Sequence, residues 1–240
     1  MAYRKPILIE ILAETHLHAG TLPESAFFDI VPVLKERGFT QVELGEAGLS
    51  VEIEASGEPR ARQKPRVRCW RTDRKALVQI AEDLMVTNLT GLYPGWNHFR
   101  ELYGTSVDAL RTALPNAAYE SLNLITVDRF EVPAIGFKLG SYLRCGGTYI
   151  PSWYEDANEP IDITLGRGFL RQQGRNRVVK VKVRILGDKA RVDLEAVFHE
   201  RVPAEPVLFA MLETLHDEST SAFEAMITDR TRHELMEGTK

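Results

Sequence analysis

Glu14, His16 and His18 stand two residues apart on one parity of an alternating segment. Imidazoles beside a carboxylate can hold zinc or a similar ion, and such a corner could serve a metal-dependent hydrolase. No third strong ligand stands at a diagnostic spacing. A polar strand end looks the same in sequence, so that is the first expectation and the metal corner the second.

A second constellation is basic. Arg167, Arg171, Arg175, Arg177, Lys180, Lys182 and Arg184 fall in one short stretch, and Lys180, Lys182 and Arg184 share a strand face. Arg66 and Arg68 repeat the pattern earlier in the chain, with Trp70 on the same parity. Basic strands with an aromatic can hold RNA or single-stranded DNA by phosphate attraction and stacking. Asp193 and Glu195 oppose them on the expected facing strand, so cross-strand ion pairing is the competing expectation. Gly166-Arg-Gly168, with Gly174 six residues on, has the spacing of the glycine-rich loop in repeat-associated CRISPR RNA-binding proteins. There the loop lies near the chain end; here two strands and a long helix follow, and glycines near strand ends are common.

Nucleophilic catalysis finds no motif: the chain has no Gly-x-Ser-x-Gly, Walker loop or His-Glu-x-x-His. Cys69 alternates with Arg68 and Trp70 and is expected to face a core. Cys145 abuts Gly146, with only Arg144 as a local helper. His216 and His233 fall on a helical segment with no metal spacing between them.

These residues need elements to place them. Ile7–Leu17 alternates with period two, a strand with one buried face. A helix carrying Phe27, Ile30, Val31 and Leu34 follows, with Ser25 as a possible cap, Pro32 as a kink and Gly38 as a stop. Strands are expected around Gly45 and Gly48, then an exposed loop over 54–65. A hairpin unit follows: Arg66–Arg71, a turn at Thr72–Lys75, a strand through Asn88 and a helix over Trp96–Leu114. After a strand at Leu122–Val132, Gly146-Gly147 suggests a short hairpin. An acidic loop spans 154–160, and Ile161–Leu165 is a strand. The second unit is Val178–Ile185, a turn at Leu186–Lys189, a strand over Ala190–Val202 and a helix from Val207 to Glu237. Adjacent strands with short turns predict an α+β fold. Its antiparallel sheets come from two hairpin-plus-helix units, with helices packed on one side and a long C-terminal helix. A divided βαββαβ arrangement fits residues 7–132.

The chain has 240 residues, 44% hydrophobic and 27% charged, enough for a sizeable core. A single integrated domain, 1–240, is expected, with two similar halves, 1–132 and 133–240, as the variant. The net charge of -4 gives no global pull toward nucleic acid or anionic membrane. Two separated cysteines suggest a reduced, cytoplasmic protein. The opening apolar run is broken by Glu10 and Glu14, a poor signal peptide, and no stretch is long enough for a membrane span. No cofactor is implied.

Ala76-Leu-Val-Gln-Ile-Ala-Glu-Asp-Leu-Met-Val-Thr-Asn88, followed by Tyr93-Pro-Gly-Trp-Asn-His-Phe99, resembles a family of sporadically distributed, functionally uncharacterised bacterial proteins of similar length. Lys5–Glu10, Tyr142-Leu-Arg144 and the tail Leu215-His216, Phe223-Glu224 and Ile227-Thr-Asp229 fit it too. The resemblance covers nearly the whole chain. It implies one integrated unit and, through the family's patchy occurrence, a mobile or defence-type setting. It supplies no catalytic residues. The expected function is a non-enzymatic cytosolic protein that binds a protein partner, itself or another. An RNA or single-stranded DNA binder with ferredoxin-like halves, using Arg66, Arg68, Trp70, Lys180, Lys182 and Arg184, is the alternative. A metal-dependent hydrolase at Glu14, His16 and His18 is the third.

Overall fold

Alternation decides the architecture. In the strand β1 (Leu8–Leu17) the odd positions Ile11, Ala13, Thr15 and Leu17 are buried and the even ones half-exposed. β6 (Tyr119–Pro133) buries Leu122, Leu124, Thr126, Phe130 and Val132, and β9 (Lys189–Arg201) buries Val192, Leu194, Ala196 and Phe198. The computed structural model describes residues 7–18, 26–53, 59–81, 83–168, 175–202 and 207–233. The remaining strands are β2 (Gln41–Ile53), β3 (Pro59–Trp70), β4 (Ala76–Ala81), β5 (Leu84–Thr90), β7 (Ile161–Gly168) and β8 (Arg175–Leu186). Three helices accompany them: α1 (Ala26–Glu36), α2 (Trp96–Ala113) and α3 (Leu208–Met226). The class is α+β, with one antiparallel sheet ordered β2-β3-β4-β5-β1-β6-β9-β8-β7.

Register shows that the helices share a face. Cys69, Val78, Thr87, Ala13, Leu124 and Phe198 are consecutive partners across the sheet, and all are buried. α1 packs near β3, α2 near β5, and α3 over β6 and β9. The Thr15 and Tyr103 hydroxyls meet at 3.0 Å, and the Thr126 and Ser219 hydroxyls at 3.2 Å, so α2 and α3 lie on one side.

Within residues 7–132 the order β6-β1-β5-β4, with α1 and α2 above it, is the divided βαββαβ arrangement. β1 and β4 run parallel with β5 between them, and the hairpin β2–β3 extends the edge. The later half differs: a three-strand meander and one helix join the sheet through β6–β9.

Several local expectations change. The strand expected over 76–88 folds back as β4 and β5. β2 is continuous where two strands were expected, and a register shift between Ala47 and Ser50 absorbs Gly48. β3 begins at Pro59, so 59–65 of the expected loop are strand; 54–58 lie outside the described residues, as do Ser25, Arg171 and Gly174. The helix expected to Glu237 ends at Met226; of the rest, 234–237 lie outside the described residues. Gly146 sits at φ 82° as expected of a turn, yet no hairpin forms there. Instead Leu143 bridges Ile227, the Arg144 amide donates to the Met226 carbonyl at 2.7 Å, and the Thr228 amide donates to the Tyr142 carbonyl at 3.1 Å. Burial of Leu139, Tyr142 and Leu143 under the end of α3 outcompetes the local glycine signal.

α3 is tied to the sheet by charge. Arg177 on β8 is 6% exposed, and its guanidinium lies over the Phe198 ring at 5.1 Å. Its Nε donates to Glu218 at 2.5 Å and its Nη2 to Glu200 at 3.0 Å, while Arg175 also grips Glu218. Removing one member leaves a nearly buried guanidinium short of charge. Glu218→Gln is expected to cost about 2–4 kcal/mol in urea unfolding. A loss under about 0.5 kcal/mol would show the knot to be incidental. Gly140 offers a second check. A Cβ there would stand 2.9 Å from the Glu155 carbonyl oxygen and 3.2 Å from its Cα. Backbone cannot step aside cheaply, so Gly140→Ala is expected to cost about 1–3 kcal/mol in the same assay.

Candidate functional site

The sheet face opposite the helices carries the candidate residues. One row crosses all nine strands: Gln41, Trp70, Leu77, Asn88, Leu12, Ile125, Val197, Val178 and Gly166. Six of these nine are apolar; Leu77 and its neighbour Asn88 are buried, and the half-buried hydrocarbon runs from Leu12 on β1 to Val178 on β8, with Trp70 apart on β3. Antiparallel sheets commonly leave one face to water, but that face is then usually polar throughout.

Charged residues on one side of the band pair among themselves. Lys180 meets Glu195 at 2.7 Å, Lys182 meets Asp162 at 3.1 Å, and Arg129 meets Asp193 at 2.5 Å. Further along, Glu131 takes Lys189 at 3.2 Å and Arg191 at 2.8 Å, and these two cations hold its carboxyl below the usual range. Acid opposite base is the cross-strand pairing expected from parity. Arg184 faces Arg191 and is exposed.

The two basic segments do not form one patch. β3 and β8 are six strand steps apart in the sheet order, roughly 29 Å at about 4.8 Å per step. Trp70 donates its indole N–H to Glu43 at 3.2 Å, and Arg74 lies over its ring at 5.5 Å. Arg68 faces Gln79 and Glu43 across the register, and the Arg66 side chain lies outside the described residues.

On the other side of the band sits a polar cluster drawn from three strands. Asn123 of β6 lies between Glu14 of β1 and His199 of β9. Its Nδ2 donates to Glu14 at 2.9 Å and lies 3.2 Å from His16 Nε2, while its Oδ1 lies 2.5 Å from His199 Nδ1. His16 Nε2 and Glu14 are 3.7 Å apart. Thus Glu14 and His16 do come together, as parity predicts, but the Asn123 amide nitrogen occupies the point on which they converge. His18 follows the end of β1 and is exposed. Among the described residues no group of three or more His, Cys, Asp or Glu is arranged to hold a metal ion.

The cluster splits its histidines. The Glu14 carboxylate raises the His16 pKa above 6.5 against the opposing effect of burial. Burial, then the neighbouring His16, lowers that of His199. Sequence reasoning missed Asn123 and His199, although both occupy the outward parity of strands it had placed.

The helix side holds two further groups; the sequence named His216 and Trp96 but not their contact, and it did not single out Asp128. Trp96 stacks on His216 with centroids 3.7 Å apart, and its indole N–H donates to Glu213 at 2.8 Å, clasping α2 to α3. Burial lowers the His216 pKa. Asp128 lies on the helix-side parity of β6, opposite Leu8 and Leu194, where burial pushes its carboxyl up to about 7. Its charge also raises the Tyr93 pKa after burial does, and the buried Tyr93 hydroxyl has no hydrogen-bond partner. Cys69 is fully buried, which pushes its thiol up to about 11, and Cys145 is half-buried and raised by burial.

An acid whose native pKa lies above its unfolded one stabilises the fold most at low pH. That stability is lost as pH climbs from about 4 through 7. Asp128→Asn is therefore expected to match the parent near pH 4 and to exceed it by on the order of 2 kcal/mol at pH 8, by urea unfolding. Equal stabilities at pH 8 would contradict the dry setting assigned to this carboxyl.

No helix among the described residues is long and apolar enough to cross a membrane. No family model and no curated protein matches this chain.

Proposed function

We propose that the chain is a non-enzymatic cytosolic binding protein that docks a protein partner on the helix-free face of its sheet. The observation that carries this reading is the run of half-buried apolar side chains Leu12, Ile125, Val197 and Val178 on the adjacent strands β1, β6, β9 and β8. A rigid sheet backed by helices presents that band without rearrangement, and hydrocarbon is what a protein partner would cover.

Charge supports protein over nucleic acid. Lys180 and Lys182 are neutralised by their neighbours, and the net charge is -4. A divided βαββαβ sheet that binds RNA stacks bases on aromatics of its two central strands. Here the corresponding positions on β1 are Glu10, Leu12, Glu14 and His16, and on β5 Leu84, Val86, Asn88 and Thr90. On this reading the partner belongs to a mobile or defence-type system and is encoded beside this chain, a setting suggested by the resemblance to a sporadically distributed bacterial family.

Recovery of the tagged chain from its native host is the test. The parent is expected to bring down a neighbour-encoded protein. Ile125→Arg with Val197→Glu is expected to reduce the yield at least about tenfold at an unchanged melting temperature. Bare chain from the host, or a partner retained by the double variant, would overturn the docking face. Capture of nucleic acid that fades steeply with salt would favour the alternative.

A further inference from the structure

Asn123 is a four-way joint on the open face, and its bonds define what each neighbour can be. The amide carbonyl accepts from an N–H of His199, because at 2.5 Å His199 Nδ1 faces Oδ1. The amide nitrogen has two hydrogens, one directed to Glu14 at 2.9 Å and one to His16 Nε2 at 3.2 Å. To accept the second hydrogen, His16 Nε2 must be bare, so this arrangement belongs to the neutral ring. A protonated His16 carries hydrogen on Nε2 and can no longer accept. The Glu14 carboxylate oxygen is an acceptor 3.7 Å away.

We propose that His16 is a proton-operated latch on Asn123: neutral, its ring takes one amide N–H; protonated, it turns to Glu14 and leaves that N–H free on the open face for an acceptor oxygen of a bound partner. The amide does not follow the ring, because Glu14 and His199 hold its other hydrogen and its oxygen. The released donor lies one row from the apolar band, since Asn123 is two residues from Ile125 on the same face. It would meet a peptide carbonyl of a chain lying along that band. Protonation would thus add a hydrogen bond to the docking face proposed above, on which the choice of ligand rests.

The charges around the latch set its order. Glu14 on β1, Asp83 in the turn before β5 and Glu120 on β6 all favour a proton on His16. Around His199, the Glu200 and Glu120 carboxylates favour a proton, whereas burial, His16 and Arg177 of β8 oppose it with the larger effect. His16 therefore takes the first proton and His199 the second.

Nitrogen-15 NMR of the isolated chain tests the latch without any partner. On lowering pH, His16 is expected to titrate first, with a midpoint above 6.5. The Asn123 side-chain amide resonances are expected to move with it, while His199 keeps its hydrogen on Nδ1. His16→Gln is expected to abolish that movement and leave the His199 tautomer unchanged. Glu14→Gln is expected to lower the His16 midpoint. An Asn123 amide unmoved through the His16 transition, or His199 titrating first, would overturn the proposal. Either failure leaves the docking face to be judged by the host pull-down, and failure of the pull-down leaves the latch to be judged here.

Discussion

One-sided burial is the constraint on which this structure rests. Every second residue of β1, β6 and β9 must leave water, and three helices meet that need from a single side. Among the described residues no helix lies over the opposite side, where charged residues pair with one another. They do so by register. Lys180 stands opposite Glu195, Lys182 opposite both Asp162 and Asp193, and Arg129 opposite Asp193. A slip of one residue in β8 would invert this, driving Lys180 and Lys182 inward and Val179 and Val181 out. The ion pairs are individually weak at such exposure. Their role is to make the correct pairing consistent with the burial that enforces it.

The same constraint explains where strong polar contacts sit. Arg177 falls on the buried parity of β8, which would be costly for an unpaired guanidinium. α3 relieves it by presenting Glu218, and the helix is thereby fixed over the strands it covers. At the other end of α3, Thr228 and Asp229 return to Tyr142 and Arg144. Trp96 reaches His216 at the middle, and Asn88 donates to Glu10 at 2.7 Å across β5 and β1. Segments far apart in the chain thus meet in pairs.

Much of this was legible in the sequence because period two is a local signal. It placed Cys69 inside, set Asp193 and Glu195 opposite the basic strand, and gave residues 7–132 a divided βαββαβ arrangement. What it could not deliver was pairing over distance. β8 and β3 look alike locally, yet sheet order sets them at opposite ends of the face, so one basic stripe became two separate segments. The glycines at 146 and 147 promised a hairpin, but the tail beyond α3 competes for Tyr142 and Leu143 from more than 80 residues away. The joint at Asn123 was hidden for the same reason. Its ligands lie 109, 107 and 76 residues off, and no spacing rule links them.

That joint also argues about what the open face is for. A metal corner would leave Glu14 and His16 with lone pairs directed at an empty point. An amide nitrogen standing there uses the lone pairs and ties both side chains to β6. The consequence is a surface apolar along its middle, with many of its polar side chains already paired. Such a face discriminates by shape and hydrocarbon contact more than by charge. The latch proposed at His16 would release a donor beside Ile125, where a bound chain would lie.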